Sequence, residues 1–517
     1  MAKINKFILS ILLISIVSSC TSNLLDTTPL DSLSPSTFYK DESECKMALM
    51  GIYSSLTPIA TPNFWYQLDF MSDNNYCQDS WQGSREFGEW LQNSSSWAAS
   101  ARWTQDYRTI VRANTFMANM ETANIDASTK AQMIAEAKFL RAYGYSDLIT
   151  FYGDVPLILK TQTLNDAYVS RSTKSVVLDA ILTDLNDASA ALPLKYSSTD
   201  VGRATKGAAL TLKAKTLLYN EKWSDAAEAA KEVMNLGVYS LFQDYKGIFE
   251  EANENNSEVI FDIQYIKTLQ SQPWPTACLS FTNWPTPNVT ADLINSYYMT
   301  NGLPITNNAS GYDGQNPYVN RDPRLAASVV LPGSKVGSNV YIPSTDQVPC
   351  GARPRKYADI GSSDPNNYSI NTIVLRYADV LLMRAEALIE SGSTDQEIYN
   401  LIDQVRARVN MPKVEAVEGT GLNQVQLRSI LRHERRVEFF MEGTRYTDML
   451  RWKDTSLVHD VYGYDTSKLS DPSNASTWVF EQIKKETRNF DSAKGWLWPI
   501  PQDELQNNKK LTQNSGY

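Results

Sequence analysis

The chain has 517 residues, of which 42% are hydrophobic and 21% are charged. This composition is ordinary for a globular protein and excludes a disordered chain or a membrane protein with many spans. The formal net charge is −10, which argues against a general nucleic-acid-binding protein, because such proteins use lysine and arginine to displace counterions.

The first twenty residues have the pattern of an export signal. Lys3 and Lys6 form a basic start, and an apolar run over 7–17 follows that is too short to span a bilayer. The tetrapeptide VSSC at 17–20 then matches a bacterial lipobox, in which the cysteine becomes the lipidated first residue of the mature protein. We therefore predict a lipoprotein signal peptide over 1–19, with Cys20 as the lipidation site. The alternative is an ordinary secretory signal in which Cys20 has no role.

The other cysteines do not form a recognisable site. Cys45, Cys77, Cys278 and Cys350 lie far apart in the sequence, with no CxxC pair of the kind that binds zinc. An exported chain can form disulfides, and four cysteines allow three pairings between which the sequence does not choose. We expect buried free thiols.

The first half of the mature chain is predicted to be helical, because apolar residues recur there at spacings of three and four. The predicted helices are Ser43–Leu56, Trp103–Met120, Thr129–Phe151 and Ser175–Leu192. The glycine and proline of GDVP at 153–156 end the third of them.

Two segments have the pattern of helix hairpins. The first joins Thr205–Tyr219 to Trp223–Leu236, and the second joins Arg376–Ser391 to Asp395–Val409. Paired helices of about 34 residues with small residues at contact positions are typical of tetratricopeptide repeats. From periodicity alone, an antiparallel helix pair within any larger α fold is an equal alternative.

The region 239–372 differs from the rest, because it is rich in proline, glycine, asparagine and aspartate. We predict loops with a few short strands, one of them at Val259–Tyr265, around one helix at Ala291–Tyr298. The predicted fold is mainly α, with helical units over 43–236 and 374–452 beside this loop-rich part, and 20–517 forms a single domain.

Several motifs then give the chain a family resemblance. They are CTSNLLDTTP at 20–29, WTQDYRTIVRAN at 103–114, EAKFLRAY at 136–143, NGLPI at 301–305, RDPRL at 321–325, YADVLLMRAE at 377–386, HERRVEFFMEGTRYTDMLRW at 433–452 and WPIP at 498–501. Over essentially its whole mature length the chain resembles the SusD/RagB-like outer-membrane lipoproteins of Bacteroidetes.

This resemblance implies a fold in which four tetratricopeptide-like units pack beside a less regular, loop-rich part. It also implies a lipid-anchored, surface-facing protein of the outer membrane that captures oligosaccharide or polysaccharide. The expected partner is a SusC-like TonB-dependent transporter, over which the protein acts as a hinged lid. No cofactor, metal or nucleic acid is expected.

The glycan site of this family is not a fixed motif, so the candidate residues follow from physical chemistry. Sugars present weakly apolar C–H faces, which stack on aromatic rings, and hydroxyls, which pair with polar side chains. Two stretches, Phe64–Trp97 and Tyr265–Trp284, interleave aromatic with polar residues. The candidate ligand-binding residues are Trp65, Asp73, Asn75, Trp81, Arg85, Trp90, Trp274 and Trp284. The alternative is that these aromatic residues belong to the core.

The sequence offers little support for an enzyme. The charged segment His433–Arg451 has opposite charges at helical spacing, which indicates ion pairs. HExxH and GxSxG motifs are absent, and Asn307–Asp313 lacks the twelve-residue calcium-loop pattern. We therefore expect a non-catalytic protein. Two alternatives stay open: a lipid-anchored helical glycoside hydrolase, which needs only two suitably spaced carboxylates, and a scaffold that holds a protein partner.

Overall fold

Helices dominate the computed structural model of this chain, which describes residues 38–57, 64–78, 83–268, 287–336, 339–343, 348–358, 369–469 and 477–517, with backbone alone for 64–66, 336 and 339. In the first half the helices are α1 (Glu42–Tyr53), α2 (Phe64–Phe70), α3 (Ser84–Gly88), α4 (Trp97–Met120), α5 (Ala127–Phe151), α6 (Lys174–Ala191), α7 (Lys206–Tyr219) and α8 (Trp223–Asn235). In the second half they are α9 (Ala291–Ser296), α10 (Pro323–Ser328), α11 (Tyr377–Glu390), α12 (Gln396–Ala407), α13 (Val414–Glu418), α14 (Gln424–Glu438), α15 (Thr444–Trp452) and α16 (Gln502–Asn507).

The described strands are short and pair two by two in antiparallel ladders. They are β1 (Asn75–Cys77), β2 (Val155–Pro156), β3 (Arg171–Ser172), β4 (Val259–Ile263), β5 (Pro287–Val289), β6 (Val329–Val330), β7 (Lys335–Val336), β8 (Asn339–Val340), β9 (Arg353–Pro354), β10 (Thr372–Arg376), β11 (Val461–Tyr464) and β12 (Gln482–Glu486). The pairs are β1 with β5, β2 with β3, β4 with β10, β6 with β9, β7 with β8 and β11 with β12.

The long helices form a continuous layer in which each packs on the next. From α4 to α8 the neighbours in space are also neighbours in sequence, whereas α8 then packs against α11, which contacts α12 and α14. Both predicted helix hairpins therefore exist, as α7–α8 and α11–α12, and the loop-rich region is inserted between them. Buried alanines such as Ala214 and Ala230 lie in the first hairpin, where small side chains allow helices to approach closely.

The predicted mainly α fold is confirmed, with local differences at several element boundaries. Helix α4 begins at Trp97, six residues before the predicted start. Strand β10 was not predicted, because all five of its residues are buried and a strand buried on both faces does not alternate in polarity. It pairs with the predicted strand β4 and runs directly into α11, so the ladder connects the loop-rich part to the helices.

A buried ion network joins the two parts of the fold, and Glu438 at the end of α14 is its centre. Its carboxylate contacts Arg376 of β10 at 2.8 Å, Arg324 of α10 at 3.0 Å, and Arg408. Burial alone would raise the pKa of Glu438, but Arg408, Arg376 and Arg324 outweigh it and hold that pKa well below its ordinary value. The charged segment over 433–451 is thus structural, as its spacing indicated.

The described cysteines Cys45, Cys77 and Cys350 are buried, and Cys45 and Cys350 are free thiols, as expected. Cys278 lies outside the described residues.

The ion network generates a prediction about stability. Replacing Glu438 by glutamine should lower the free energy of unfolding by about 3–5 kcal/mol, because three buried arginines lose a shared counter-ion. Urea unfolding followed by circular dichroism measures this change. The matched control is Glu250→Gln, which breaks an exposed pair with Lys246 and should cost less than about 1 kcal/mol. Equal losses in the two variants would show that the network does not stabilise the fold.

Candidate functional site

The two aromatic-rich segments of the sequence are attached to one short ladder. In the pairing of β1 with β5, Tyr76 lies opposite Asn288 and Cys77 lies opposite Pro287. The chain leaves β1 directly after Cys77, towards Trp81, and returns to β5 at Pro287, directly after Trp284. Because paired strands lie about 4.8 Å apart, the two segments are joined to the ladder at neighbouring residues, Cys77 and Pro287.

Arginines of α14 and α15 form ion pairs with the turn that precedes β1. Arg445 makes a bidentate ion pair with Asp73, with both N–O distances at 2.7 Å, and Arg436 approaches the same carboxylate at 3.1 Å. Burial raises the pKa of Asp73, but Arg436 and Arg445 reverse this effect and hold the pKa below its ordinary value. Asp73 therefore remains a carboxylate that fixes the base of the ladder.

A second arginine clamp supports the other side of this turn. The guanidinium of Arg488 donates to the carbonyl oxygens of Ser72 at 2.6 Å and Asn75 at 3.0 Å, and it pairs with Glu486 of β12 at 2.5 Å. Gly88 allows this approach, because a Cβ there would lie 3.0 Å from the guanidinium. The ladder is therefore a rigid base for the segments attached to it.

Beside the ladder lie aromatic and polar side chains that are half-buried or exposed, which we name the ladder rim: Tyr76, Gln78, Arg85, Glu89 and Trp97. The guanidinium carbon of Arg85 lies 5.9 Å from the centre of the Tyr76 ring, and Arg85 also pairs with Glu89 at 2.9 Å. Trp97 is 38% exposed, and its ring lies beside Gly83, the first described residue after the Trp81 segment. The rim combines ring surface with a cation and a carboxylate.

Three predicted ligand-binding residues are buried, and the structure corrects their role. Asp73, in the turn before β1, is 2% exposed, and Asn75, the first residue of β1, is fully buried. Trp90 is 2% exposed, and its indole N–H donates to the carbonyl of Gly495 at 3.2 Å. The C-terminal segment, through Trp496, packs across the Trp90 ring. The side chains of these three residues pack in the interior of the protein and are not accessible to a ligand.

The other predicted residues have different outcomes. Arg85 lies on the ladder rim. Trp65 belongs to α2, but its side chain is not among those described. Trp81, Trp274 and Trp284 lie outside the described residues, and they stay predictions.

The sequence analysis did not select Tyr76 and Trp97, although both lie in its first aromatic stretch. A signal for Trp97 was present: NSSS at 93–96 is typical of a helix start, and a first-turn residue with an exposed ring follows. Ser96 and Asn93 both donate to Glu86 in the structure, at 2.8 and 3.1 Å, which fixes the position from which Trp97 projects.

One cluster next to the ladder resembles a metal site in its residue types. Oxygen or nitrogen atoms of Asp73, Asp292 and His459 lie within 4.8 Å of one another. Arg436 contacts both carboxylates, at 3.1 Å for Asp73 and 2.6 Å for Asp292. A guanidinium therefore supplies the positive charge between these carboxylates, and the geometry is that of an ion-pair cluster.

Comparison with known proteins identifies the family. Residues 247–517 match the model described as "SusD family", and residues 25–218 match a model described as "Starch-binding associating with outer membrane". The first match covers more than half of the chain. The chain belongs to the SusD family.

Individual relatives agree with this assignment. A SusD-like protein of Formosa agariphila is 27% identical over 87% of this chain and 90% of its own length. The starch-binding protein SusD of Bacteroides thetaiotaomicron is 22% identical over 97% of this chain and 96% of its own length. Among solved structures, a SusD-like carbohydrate-binding protein of Bacteroides fragilis has a TM-score of 0.83 at 28% identity, covering 92% of this chain and all of the other.

Within the described ranges, none of the helices combines the length and the apolar character that a membrane span requires.

A buried carboxyl group under the ladder gives a pH-dependent prediction. Asp69 of α2 accepts a hydrogen bond from the backbone N–H of Gly443 at 2.7 Å, and burial raises its pKa to about 7. Its unfolded pKa is about 3.9, so between these values the folded state holds a proton that the unfolded state releases. This contribution to stability is present at low pH and is lost as the pH rises through 7.

The Asp69→Asn variant removes that titration. Between pH 5 and pH 7 the free energy of unfolding of the variant should rise relative to that of the wild type, by up to about 1.4 kcal/mol per pH unit. Urea unfolding at several pH values measures this difference. Asp179→Asn, at an exposed position of α6, is the control and should show no such trend. Parallel pH curves for wild type and Asp69→Asn would contradict the assignment.

Proposed function

We propose that this protein captures an oligosaccharide or polysaccharide at the outer membrane and delivers it, without cleavage, to a SusC-like TonB-dependent transporter. The observation that carries the proposal is the β1–β5 ladder, which joins both aromatic-rich segments of the sequence at one base. Membership of the SusD family supports the same function, and the model that matches residues 25–218 is described as starch-binding.

The chemistry of the ladder rim is suited to carbohydrate. Trp97 and Tyr76 offer ring surface for the C–H face of a sugar, whereas Arg85, Glu89 and Gln78 are suited to its hydroxyls. We propose that Trp81, Trp274 and Trp284, from the attached segments, extend this surface. A surface of this kind buries little area, so we expect a dissociation constant on the order of micromolar to millimolar for a short oligosaccharide.

The relatives support carbohydrate as the ligand class. The Bacteroides thetaiotaomicron relative is a starch-binding protein, and the Bacteroides fragilis structure is that of a carbohydrate-binding protein. Repeated contacts along a polymer would compensate for weak single contacts, because linked binding events raise the effective concentration. Closure of this protein over its transporter partner would also compensate for weak single contacts.

The aromatic residues provide the direct test. Native gels cast with a panel of plant, microbial and host polysaccharides should show retardation of the mature protein by one glycan class. Trp81→Ala, Trp284→Ala and Trp97→Ala should each reduce this retardation, corresponding to a loss of about 2 kcal/mol, the size typical of truncating a central aromatic residue of a binding surface, without lowering the melting temperature. Tyr168→Ala is the control, since Tyr168 is 55% exposed and lies outside the rim.

The same gels separate the proposed function from its alternatives. New reducing ends on the retarding polysaccharide would identify a hydrolase and contradict a binding-only role. Co-purification with a transporter, without retardation by any glycan, would favour a scaffold. Normal retardation with early melting in all three tryptophan variants would place these rings in the core.

The proposed lipid anchor has its own test. In a Gram-negative host supplied with an alkyne-tagged fatty acid, the wild-type protein should carry the label and fractionate with the outer membrane. Cys20→Ala should lose both properties, because the cysteine thiol is the acceptor in the lipobox prediction. Cys45→Ala, at a buried free thiol, should keep them. Label on the Cys20→Ala protein would contradict the anchor.

A further inference from the structure

A cavity of about 650 Å³ lies where the ends of α5, α7 and α15 meet the start of α6 and the C-terminal segment. None of its lining residues belongs to the ladder rim. Its cationic side chains are Arg171, Lys174, Lys222, Arg451 and Lys453, and only two carboxylates, those of Asp154 and Glu221, line it with them. We name this cavity the lysine cleft.

Part of this positive charge is not neutralised by ion pairs, although Arg451 pairs closely with Glu386 at 2.6 Å and with Asp448 at 2.8 Å. Among the described residues, no carboxylate lies within ion-pair distance of Lys174, Lys222 or Arg171, whereas Lys453 makes only a long, exposed contact of 3.5 Å with Glu221. Arg171 donates to the carbonyl oxygens of Asp154 and Thr512, at 2.7 and 2.9 Å. Carbonyl oxygens therefore accept the hydrogen bonds of Arg171, but no carboxylate of the described residues forms an ion pair with it.

The lysines also repel one another. Burial lowers the pKa of Lys174 and the neighbouring ammonium of Lys453 lowers it further, whereas the carboxylates of Glu221 and Asp154 offset part of this effect. Lys174 is the first residue of α6, so the positive end of that helix dipole adds to the same field. An anion in the cleft would relieve this repulsion.

The size and lining of the cleft indicate more than a bare ion. A volume of about 650 Å³ is in the range of small-molecule pockets and far exceeds that of a sulfate ion. The hydroxyls of Thr150 and Ser175 and the amide of Asn220 lie beside the cations, and Trp496 contributes a ring to the wall. Hydroxyl partners, an aromatic wall and unpaired cations together complement an acidic sugar.

We infer that the lysine cleft binds an acidic sugar through its carboxylate or sulfate group, as a second carbohydrate site distinct from the ladder rim. This inference rests on the proposed carbohydrate-binding function. It adds that part of the bound glycan carries a negative charge.

Isothermal titration calorimetry of the mature protein at low ionic strength tests the inference, with glucuronic acid, glucose and inorganic sulfate as probes. Glucuronic acid should bind, and glucose should give no binding heat. Lys174→Gln and Lys222→Gln should each weaken glucuronic acid binding about tenfold, because each removes one charge-assisted contact. The matched control is Lys231→Gln, at an exposed lysine of α8 outside the cleft, and it should bind as the wild type does.

Several results would overturn the inference. These are no binding of glucuronic acid, equal losses in Lys231→Gln and the cleft variants, binding of sulfate without glucuronic acid, or a polyglutamate peptide binding more tightly than the sugar, which would identify a protein partner. Melting temperatures verify that the variants fold. Retardation by a neutral polysaccharide depends on the rim rather than on these lysines, so its presence or loss reports on the proposed function independently.

Discussion

The burial of charge around Glu438 is the constraint on which this structure depends. Arginines from α10, β10 and the end of α12 converge on a carboxylate that belongs to α14. A buried ion pair adds little net stability, yet removing one partner leaves an uncompensated charge and is costly. The loop-rich region therefore has one permitted position against the helical layer, although its own regular structure is sparse.

Helix α14 transmits this constraint to the ladder, because consecutive residues point in different directions around a helix. Glu438 and Glu434 face the loop-rich part, where Glu434 pairs with Arg324 at 2.6 Å. Arg435 faces the helical layer and pairs with Asp379 of α11 at 2.9 Å. Arg436 faces the base of the β1–β5 ladder. One helical turn thus forms ion pairs with three neighbouring parts of the fold.

The contrast between Trp90 and Trp97 shows how far the sequence could identify the site. Both lie in one stretch of aromatic and polar residues, and neither has a helical periodicity that marks it as core. Trp90 is buried because the C-terminal segment, about 400 residues later, packs Trp496 against it. Trp97 keeps an exposed ring because it lies in the first turn of α4. The aromatic-rich composition indicated the stretch 64–97 as a candidate site. Contacts between residues distant in sequence determine which of its aromatic rings are buried.

Helical periodicity and short motifs are local properties of the chain, so the long helices, the two hairpins and the family could be predicted from the sequence. The charged segment over 433–451 was likewise recognisable as ion pairs from its spacing. Three features emerge only in the folded structure: the pairing of β10 with β4, the burial of Asp73 and Asn75, and the cleft shared by lysines from α6, the α7–α8 turn and the end of α15. Each of these depends on residues far apart in sequence, whose proximity is set by packing and by the neutralisation of buried charge.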